Sequence, residues 1–362
     1  MVNYIGTARV REMVCHVGPA LFMEQLAGEI AADYRRWSEF DKSARHASHS
    51  PVGVIELMPT SDGRLYSFKY VNGHPKNTGE GLLTVTAFGV LADVATGYPL
   101  LLSEMTFVTA LRTAAVSALA ARHMARPGAR VMALIGNGAQ SEFQAIAFHR
   151  MLGISELRLY DTDPGATAKL ELNLAALRLP GLKVTACAGT AEAVRGADIV
   201  TTATADKRNA LILTPGMIEP GMHLNAVGGD CPGKTELHAD ILARRDARIV
   251  VEFEPQARIE GEIQQLDAAA EVTELTDVLC QKRPGRQGEG EVTIFDSVGF
   301  ALSDFSSLRY LHRLNRELGG AEDIDLIPAL DDPKDLFGGL ALSGAQPIRR
   351  GERRLAGQES SV

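Results

Sequence analysis

Residues 131–144, VMALIGNGAQSEFQ, set the class of fold. The first five are apolar and predict a short buried strand, and a helix that carries Phe143, Ile146 and Ala147 follows the segment GNGAQS. Gly136 and Gly138 lie in the turn between them, where a missing Cβ lets a ligand approach the backbone. Such a turn aims N–H groups and the positive end of a helix at one point, which suits the pyrophosphate of a dinucleotide.

An acidic residue follows the next predicted strand, LRLY (157–160). Asp161 lies 25 positions after Gly136, near the spacing expected for a carboxylate that binds a ribose. Such a carboxylate accepts hydrogen bonds from the 2′-hydroxyl and repels a 2′-phosphate, so it favours NAD over NADP. Ser141 replaces the third glycine of the usual pattern. The alternative is a plain strand-to-helix turn in which Asp161 caps the next helix.

Strands and helices continue to alternate after this unit. Further strands are predicted at 183–186, 198–202, 223–227, 247–253 and within 291–299. This alternation predicts an α/β fold, with a doubly wound parallel sheet of the Rossmann type and right-handed crossovers. The break Arg126-Pro127-Gly128 marks its start, so we assign residues 126–302 to an NAD-binding domain.

The residues before this break show a different pattern. A helix is predicted from Phe22 to Trp37, and alternating strands follow Pro51. In GVIELMP, Ile55 and Leu57 share an apolar face and Glu56 takes the opposite one; LYSFKYV likewise sets Lys69 opposite its aromatic residues. Two strands at 82–92 and 98–103 are expected around a turn at 95–97. The pattern predicts a separate α+β domain with an antiparallel sheet.

The helical segment 305–318 is expected to return to this first domain. We therefore predict a domain of residues 1–125 completed by 303–342. The polar, Arg-rich residues 343–362 are expected to form a flexible tail.

Composition excludes several classes of function. The 362 residues carry a net charge of −8, which argues against a nucleic-acid surface. No apolar run approaches the roughly 20 residues that cross a membrane. The four cysteines are far apart and form no CxxC pair, so a reduced, cytoplasmic protein is expected. His46 and His49 have no third ligand at a suitable spacing, so no metal site is predicted.

Six charged residues lie in apolar or small-residue surroundings: Arg45, Glu56, Lys69, Arg112, Asp230 and Lys234. An unpaired buried charge is very costly, so Arg112 within TALRTAAVSALAA needs an anionic partner. For each residue alone, a solvated or salt-bridged side chain is the alternative. Residues 225–230, NAVGGD, end a predicted parallel strand, at the edge where doubly wound sheets bind ligands.

Several motifs resemble those of the ornithine cyclodeaminase/mu-crystallin family. They are DKSARHASH, FKYVNGHPKN, ALRTAA, IGNGAQSEFQ, YDTDP, NAVGGDCPGKTEL and FDSVGFAL, in this order. The resemblance extends from the start of the chain to about residue 337. It implies an NAD-containing homodimer that converts L-ornithine to L-proline and ammonia. The first domain would then hold the substrate and the dimer contact.

The resemblance also implies roles for individual residues. Arg45, Lys69 and Arg112 would bind the substrate α-carboxylate, Asp230 the distal amino group, and Val298 would line the pocket. The residues implied to contact NAD, beside Gly136 and Gly138, are Thr84, Arg112, Ala139, Gln140, Asp161, Thr204, Val227, Gly228, Gly229, Asp230, Lys234 and Ser297.

The chemistry of the distal amine indicates which of these residues take part in catalysis. The amine must lose a proton before it attacks, so Asp230 is predicted to be a proton acceptor, and Lys69 is the second predicted catalytic residue. Glu56 is a further candidate for contact with the amine; an exposed residue of the sheet is its alternative.

Three other functions remain open on the same scaffold. They are a dehydrogenase or imine reductase with net redox chemistry, a lysine cyclodeaminase, and a non-catalytic binding protein. One methylene separates ornithine from lysine, which is worth only about 1–3 kcal/mol of discrimination. The sequence does not give the size of the pocket.

Overall fold

The computed structural model describes residues 2–205 and 211–340. These residues form two eight-stranded sheets. The strands are β1 (Val2–Ile5), β2 (Asp41–Lys42), β3 (His46–His49), β4 (Val54–Ser61), β5 (Leu65–Gly73), β6 (Ala87–Asp93), β7 (Pro99–Glu104), β8 (Val131–Ile135), β9 (Glu156–Tyr160), β10 (Lys183–Ala186), β11 (Ile199–Thr202), β12 (His223–Ala226), β13 (Ala247–Val251), β14 (Thr273–Glu274), β15 (Val292–Asp296) and β16 (Glu322–Ile324).

Ten α-helices within the described residues connect and cover these strands. They are α1 (Thr7–Val17), α2 (Pro19–Arg35), α3 (Thr106–Met124), α4 (Ser141–Leu152), α5 (Pro164–Leu177), α6 (Thr190–Val194), α7 (Ala239–Leu242), α8 (Glu254–Glu260), α9 (Leu275–Leu279) and α10 (Ala301–Leu318).

The second sheet is parallel throughout and has the order β10-β9-β8-β11-β12-β15-β13-β14. The chain begins at β8 in its middle, moves outward to β10 and then returns to β11 on the other side of β8. The connections after β8 and β11 therefore leave in opposite directions and open a crevice at the carboxyl ends of the strands. The predicted doubly wound parallel sheet is confirmed.

The first sheet has the order β16-β1-β7-β6-β5-β4-β2, with β3 also paired to β4. All its pairs are antiparallel except β1 with β7. Helix α10 packs against β4, β5 and β6, and so covers one face of the sheet. The returning helix predicted at 305–318 is thereby confirmed, although it begins at Ala301.

One apolar core links the two sheets. Helix α3 packs against α2 and α10 on one side and against α4 and β15 on the other. Its alanine-rich sequence permits this close packing, because Ala114, Ala115, Ala118 and Ala120 are fully buried. Arg112 belongs to this helix, so the same packing that joins the sheets also buries a guanidinium.

The structure corrects several local predictions. The helix predicted from Phe22 to Trp37 corresponds to α2, which ends at Arg35, and Trp37 lies in a short 3₁₀ helix beyond it. Helix α1 was not predicted. Strands β1, β2, β3, β14 and β16 were not predicted. Residues 82–86 do not belong to β6, which begins only at Ala87. The tail predicted at 343–362 lies outside the described residues.

The faces of β4 are the reverse of what its pattern suggested. Ile55 and Leu57 are 41% and 45% exposed, whereas Glu56 is only 5% exposed. Lys69 on β5 is fully buried as well. Alternation correctly predicted which residues share a face, but α10 covers the face that carries the charges. The alternative of an exposed Glu56 is therefore wrong.

No helix within residues 2–205 and 211–340 is long and apolar enough to cross a membrane. In that same part of the chain, His, Cys, Asp and Glu side chains form no group of three that could hold a metal ion.

Candidate active site

The turn after β8 requires glycine at its first position. Gly136 has a φ of +91°, and a Cβ there would lie 2.6 Å from the carbonyl oxygen of Ala203. Its N–H donates to Tyr160 O at 3.0 Å, which holds the turn against the end of β9. No atom lies near the position of a Cβ on Gly138, so that side of the turn is open.

Asp161 closes the turn from the end of β9. Its Oδ2 accepts a 2.6 Å hydrogen bond from Asn137 N, and its Oδ1 accepts one of 2.8 Å from Asp163 N. The residue that caps helix α5 is Asp163, whose Oδ1 accepts from Gly165 N at 2.8 Å. The alternative in which Asp161 caps that helix is therefore wrong, and Asp161 lies at the predicted edge of the sheet.

The start of α4 offers unused hydrogen-bonding groups. Gln140 occupies the N-cap, and no side chain caps the first turn. Asn137 Oδ1 and Gln140 Oε1 are buried and have no hydrogen-bond partner within residues 2–205 and 211–340. Ser141, which replaces the third glycine, donates to Gly138 O at 2.6 Å and so stabilises the turn. Buried polar atoms normally have partners, so the two oxygens suit a hydrogen-bond donor of a ligand, and the uncapped N–H groups of the first turn suit an anionic group.

Two further loops follow β11 and β12 at the same edge. The first loop contains Thr204, and the second contains the run from Val227 to Asp230. The side chain of Lys234 connects the two loops. Lys234 Nζ donates to Thr204 O at 2.9 Å and lies 3.2 Å from Asp230 Oδ1. Burial opposes it, but Asp230 and Glu236 together raise the pKa of Lys234, so the ammonium stays charged. The Asp230 side chain is 55% exposed and accessible to a substrate.

The paired glycines of NAVGGD have a structural reason. A Cβ on Gly228 would overlap the carboxylate of Glu236, and one on Gly229 would lie 2.5 Å from Glu262 Oε1. Both acids are buried and accept backbone N–H groups of these loops. The sequence analysis did not identify Glu236 or Glu262; the motif TEL after the glycines was the available signal.

Arg45 joins the two sheets. It lies between β2 and β3, and its Nη2 donates to Val298 O at 2.5 Å and to Gly299 O at 2.7 Å, in the loop after β15. Its Nη1 is 2.9 Å from Glu56 Oε2, and its Nε is 3.1 Å from Glu260 Oε2. Burial opposes charge on Arg45, but Glu56, Glu260 and Asp230 raise its pKa. Asp230 therefore acts electrostatically on the same cluster.

Lys69 and Arg112 share one carboxylate. Lys69 Nζ and Arg112 Nε lie 2.9 Å and 3.1 Å from the same oxygen of Asp304, Oδ1. Desolvation by burial and the charge of Arg112 lower the pKa of Lys69 to about 8, although Asp304 opposes the shift. Asp304 on α10 was not predicted; an acidic residue within a buried helical stretch was the signal, as it was for Arg112.

Two more buried acids surround this cluster. Burial raises the pKa of Glu260 to about 7 although the charge of Arg45 lowers it. Burial likewise raises the pKa of Glu252 to about 7, opposed by Arg112. Three cations and several carboxylates thus occupy one region that water reaches poorly. The solvated alternative for Arg45, Lys69 and Arg112 is wrong, and the salt-bridged one is correct.

The remaining predicted residues take different positions. Ser297 and Val298 are buried in the loop after β15, next to Gly299, whose carbonyl Arg45 contacts. Thr84 lies between a 3₁₀ helix and β6, and its carbonyl accepts from His74 N at 2.8 Å. Ala139 lies in the turn between Gly138 and the N-cap of α4.

Two cavities open near these elements. One cavity of about 210 Å³ is lined by His49, Ser50, Gly53, Val54, Cys231 and Pro232. Cys231 directly follows Asp230 in the sequence. The larger, of about 480 Å³, is lined by residues of β5 and the following loop, among them Tyr70 and His74. Tyr70 is on the face of β5 opposite Lys69, so the larger cavity opens on the side of that strand away from Lys69.

The sequence model of the ornithine cyclodeaminase/mu-crystallin family matches residues 8–317. The chain belongs to this family. A curated relative from Brucella suis biovar 1 (strain 1330), named ornithine cyclodeaminase, is 58% identical over 340 residues and covers 94% of each chain. The resemblance inferred from the motifs is confirmed.

Solved structures of family-like proteins have the same fold. A lysine cyclodeaminase, described for its recognition of L-lysine, L-ornithine and L-2,4-diaminobutyric acid, matches with a TM-score of 0.86 at 28% identity. The match covers 93% of this chain and 98% of that one. An archaeal alanine dehydrogenase dimer with bound NAD matches with a TM-score of 0.81 at 27% identity, over 90% and 99% of the two chains.

Proposed function

We propose that this protein is an NAD-dependent ornithine cyclodeaminase that converts L-ornithine to L-proline and ammonia. One observation carries the proposal: Arg45, Lys69 and Arg112, from separate parts of the chain, meet beside the glycine-rich edge of the parallel sheet. The 58% identity to a curated ornithine cyclodeaminase supports the same reaction and substrate.

The residues present fit NAD. The uncapped start of α4 suits a pyrophosphate, whereas the buried acceptor oxygens Asn137 Oδ1 and Gln140 Oε1 suit hydrogen-bond donors elsewhere on the dinucleotide, such as ribose hydroxyls. The residues that would hold the dinucleotide are Gly136, Gly138, Ala139, Gln140, Asp161, Thr204, Val227, Gly228, Gly229, Asp230, Lys234, Ser297, Arg112 and Thr84. When bound, NAD⁺ supplies a reversible hydride acceptor, so that the overall conversion is redox-neutral.

The cation cluster is suited to bind the substrate α-carboxylate. Lys69 and Arg112 are hydrogen-bonded to one carboxylate, Asp304, and so retain positive charge for a second anion. Charge-assisted hydrogen bonds to a carboxylate contribute roughly 1.5–3 kcal/mol each. Arg45 forms ion pairs with Glu56 and Glu260 and donates a hydrogen bond to the loop after β15. It would be the third cation to contact the substrate α-carboxylate. Glu56 then orients Arg45 and is not a base.

Asp230 is the group that would act on the distal amine. With a lysine-like pKa of about 10.4, the amine costs roughly 4–5 kcal/mol to deprotonate at pH 7. Asp230 is exposed to the substrate side, and Lys234 lies against its Oδ1. It would accept the amine proton and hold the nitrogen toward Cα. Lys69, with its pKa lowered to about 8, is the second group able to exchange a proton here.

The architecture also supports separate domains for the substrate and for NAD, and the assembly of a homodimer. We assign residues 1–125 and 303–342 to the substrate and dimer domain, 126–302 to the NAD domain, and the protein to the cytoplasm. Ile55, Leu57, Tyr66 and Phe88 form an exposed apolar face on the first sheet, on the side away from α10. Contiguous exposed apolar patches of this kind mark interaction sites, and a second copy of the chain is the proposed occupant.

The test is NMR of the purified protein with L-ornithine and catalytic NAD⁺, following proline and ammonia together. Equal formation of both without accumulation of NADH supports the proposal. Steady NADH accumulation would instead indicate an amino-acid dehydrogenase, and turnover of L-lysine without turnover of L-ornithine would indicate a lysine cyclodeaminase. Absence of any turnover would favour a binding protein.

A further inference from the structure

A buried carboxylate, that of Glu236, connects the two loops that follow β11 and β12. Its Oε1 accepts a 2.8 Å hydrogen bond from Thr204 N and a second, shorter one from Thr204 Oγ1. Its Oε2 accepts from Gly228 N at 3.1 Å. Glu236 is 1% exposed, so these three bonds are made out of contact with water.

Neighbouring residues fix this carboxylate in place. Glu262 Oε1 accepts from the N–H of Glu236 at 2.7 Å, and Glu262 Oε2 from Leu237 N at 3.1 Å. Gly228 has no Cβ, and any Cβ there would overlap the carboxylate. Lys234, whose pKa Glu236 helps to raise, bonds to Thr204 O and to Asp230 Oδ1. Glu236, Thr204, Lys234 and Asp230 thus form one connected network.

The position of this network in the sheet gives it a specific task. Strands β11 and β12 lie on one side of β8, whereas β9, which ends in Asp161, lies on the other. A dinucleotide bound across the crevice at β8 has its two halves on these two sides. If Asp161 binds the adenosine ribose, the loops held by Glu236 face the nicotinamide half.

We propose that Glu236 is a positioning residue that holds the Thr204 and Gly228 loops for the nicotinamide half of the cofactor. It touches no reacting atom and acts through the backbone of both loops and, by way of Thr204 and Lys234, on Asp230. This inference rests on the proposed function, because it takes NAD as the ligand.

The test compares ligands by calorimetry in the wild-type chain and in Glu236→Gln. The amide of Gln keeps the shape but has one acceptor oxygen, so either Thr204 N or Gly228 N faces an NH₂ group and loses its acceptor. We expect Glu236→Gln to bind NAD⁺ about tenfold more weakly, since an unmade buried hydrogen bond has a cost of that size. ADP, which lacks the nicotinamide half, should bind within about twofold of wild type, because Asp161 and the β8 turn are unchanged.

Asp198→Asn is a matched control. Asp198 Oδ2 accepts from Arg130 N at 2.8 Å and from Val131 N at 3.0 Å, and its Oδ1 accepts from Arg126 Nη2 at 2.7 Å. It too bonds two backbone amides, but at the amino end of β8, the opposite edge of the sheet. It should leave the ratio of NAD⁺ to ADP affinity unchanged. Thr204→Val removes the hydroxyl that donates to Glu236. In the Glu236→Gln background, this substitution should weaken NAD⁺ binding by a smaller factor than it does in the wild-type chain.

The outcomes separate the two claims. Equal weakening of NAD⁺ and ADP, or a ratio shift as large in Asp198→Asn, would refute the positioning role while leaving the cofactor assignment intact. Failure of the wild-type chain to bind NAD⁺ at all would refute both. If Glu236→Gln does not fold, equal weakening of NAD⁺ and ADP binding by Thr204→Val alone would still overturn the inference.

Discussion

Lys69 on β5 and Asp304 on α10 are 235 positions apart in sequence, and the Nζ of one lies 2.9 Å from the Oδ1 of the other. Arg112 Nε lies 3.1 Å from that same oxygen. One carboxylate therefore organises two cations that the sequence places on different elements. The proposed substrate site depends on this contact, because it aligns both cations for a second anion.

Replacement of Asp304 should destabilise the fold. In Asp304→Asn, Lys69 and Arg112 lose their buried anionic partner, and breaking a buried pair from one side costs about 3–5 kcal/mol. Urea denaturation at pH 7 measures the free energy of unfolding. Asp323→Asn, on an exposed strand where Asp323 accepts from Asn3, is the control and should change little. A loss below about 1 kcal/mol for Asp304→Asn would contradict a charged, buried pair.

Binding of a carboxylate ligand should depend on the charge of Lys69. Because burial lowers the pKa of Lys69 to about 8, the ammonium is lost as the pH rises through that value. Calorimetry of L-proline binding to the NADH-loaded protein should show affinity falling about tenfold or more between about pH 7 and 9.5. Lys69→Met should bind weakly and without this slope. A wild-type profile that is flat to pH 9.5 would remove Lys69 from the site.

The lowered pKa of Lys69 also affects stability, and here the effect of rising pH is favourable, whereas its effect on ligand affinity is unfavourable. Between pH 8 and 10.5 the unfolded chain binds a proton at Lys69 that the folded chain has lost. The contribution of this group to the free energy of unfolding therefore rises with pH across that window. Denaturant titrations of wild type and Lys69→Met at pH 8 and 10 should show the difference between them shifting in favour of wild type.

Asp230 should be required for ring closure but not for cofactor binding. Asp230→Asn removes the proton acceptor while Lys234 keeps its bond to Thr204 O. General base catalysis is worth about 10²–10⁴-fold, so kcat for proline formation should fall by at least about 100-fold. NAD⁺ should still bind, as measured by calorimetry, because the other residues proposed to hold it are unchanged. Full proline formation by Asp230→Asn would show that another group accepts the proton.

Gly299 should be required for the placement of Arg112. Its φ is +78°, and an added Cβ would lie 2.7 Å from Arg112 Nη1. Gly299→Ala should lower the free energy of unfolding by about 1–3 kcal/mol and raise KM for L-ornithine. Gly63→Ala is a matched control, with a φ of +80° and no atom near the added Cβ. Gly63→Ala should show the effect of backbone strain on stability alone, with KM for L-ornithine unchanged. If Gly63→Ala raised KM as much as Gly299→Ala does, the effect of Gly299→Ala would not come from contact with Arg112.

The apolar face of the first sheet should carry the dimer. Leu57→Asp puts a charge among Ile55, Tyr70 and Phe88, and a charge desolvated at an interface core is strongly unfavourable. Sedimentation velocity should show a dimer for wild type and a monomer for Leu57→Asp. Leu172→Asp, on α5 and 72% exposed, should remain dimeric. A Leu57→Asp dimer would place the contact elsewhere.

Predictability differed between elements for physical reasons. Strands such as β8 and β15 were predicted because central strands of a parallel sheet are apolar on both faces. Strands β14 and β16 lie at the ends of their sheets and have two and three residues, so they carry little periodic signal. The face of β4 was assigned wrongly because a period of two is symmetric, and only the packing of α10 decides which face is interior.

The sequence by itself determined the parallel sheet, the glycine turn at Gly136, the position of Asp161 and the family, because these follow from local patterns and from motifs in order. Only the tertiary structure decided the partners of the charged residues. Asp304, Glu260 and Glu236 lie far along the chain from Lys69, Arg45 and Thr204, which they bond. Local sequence predicts that a buried charge needs a partner, but chain folding alone selects which distant side chain supplies it.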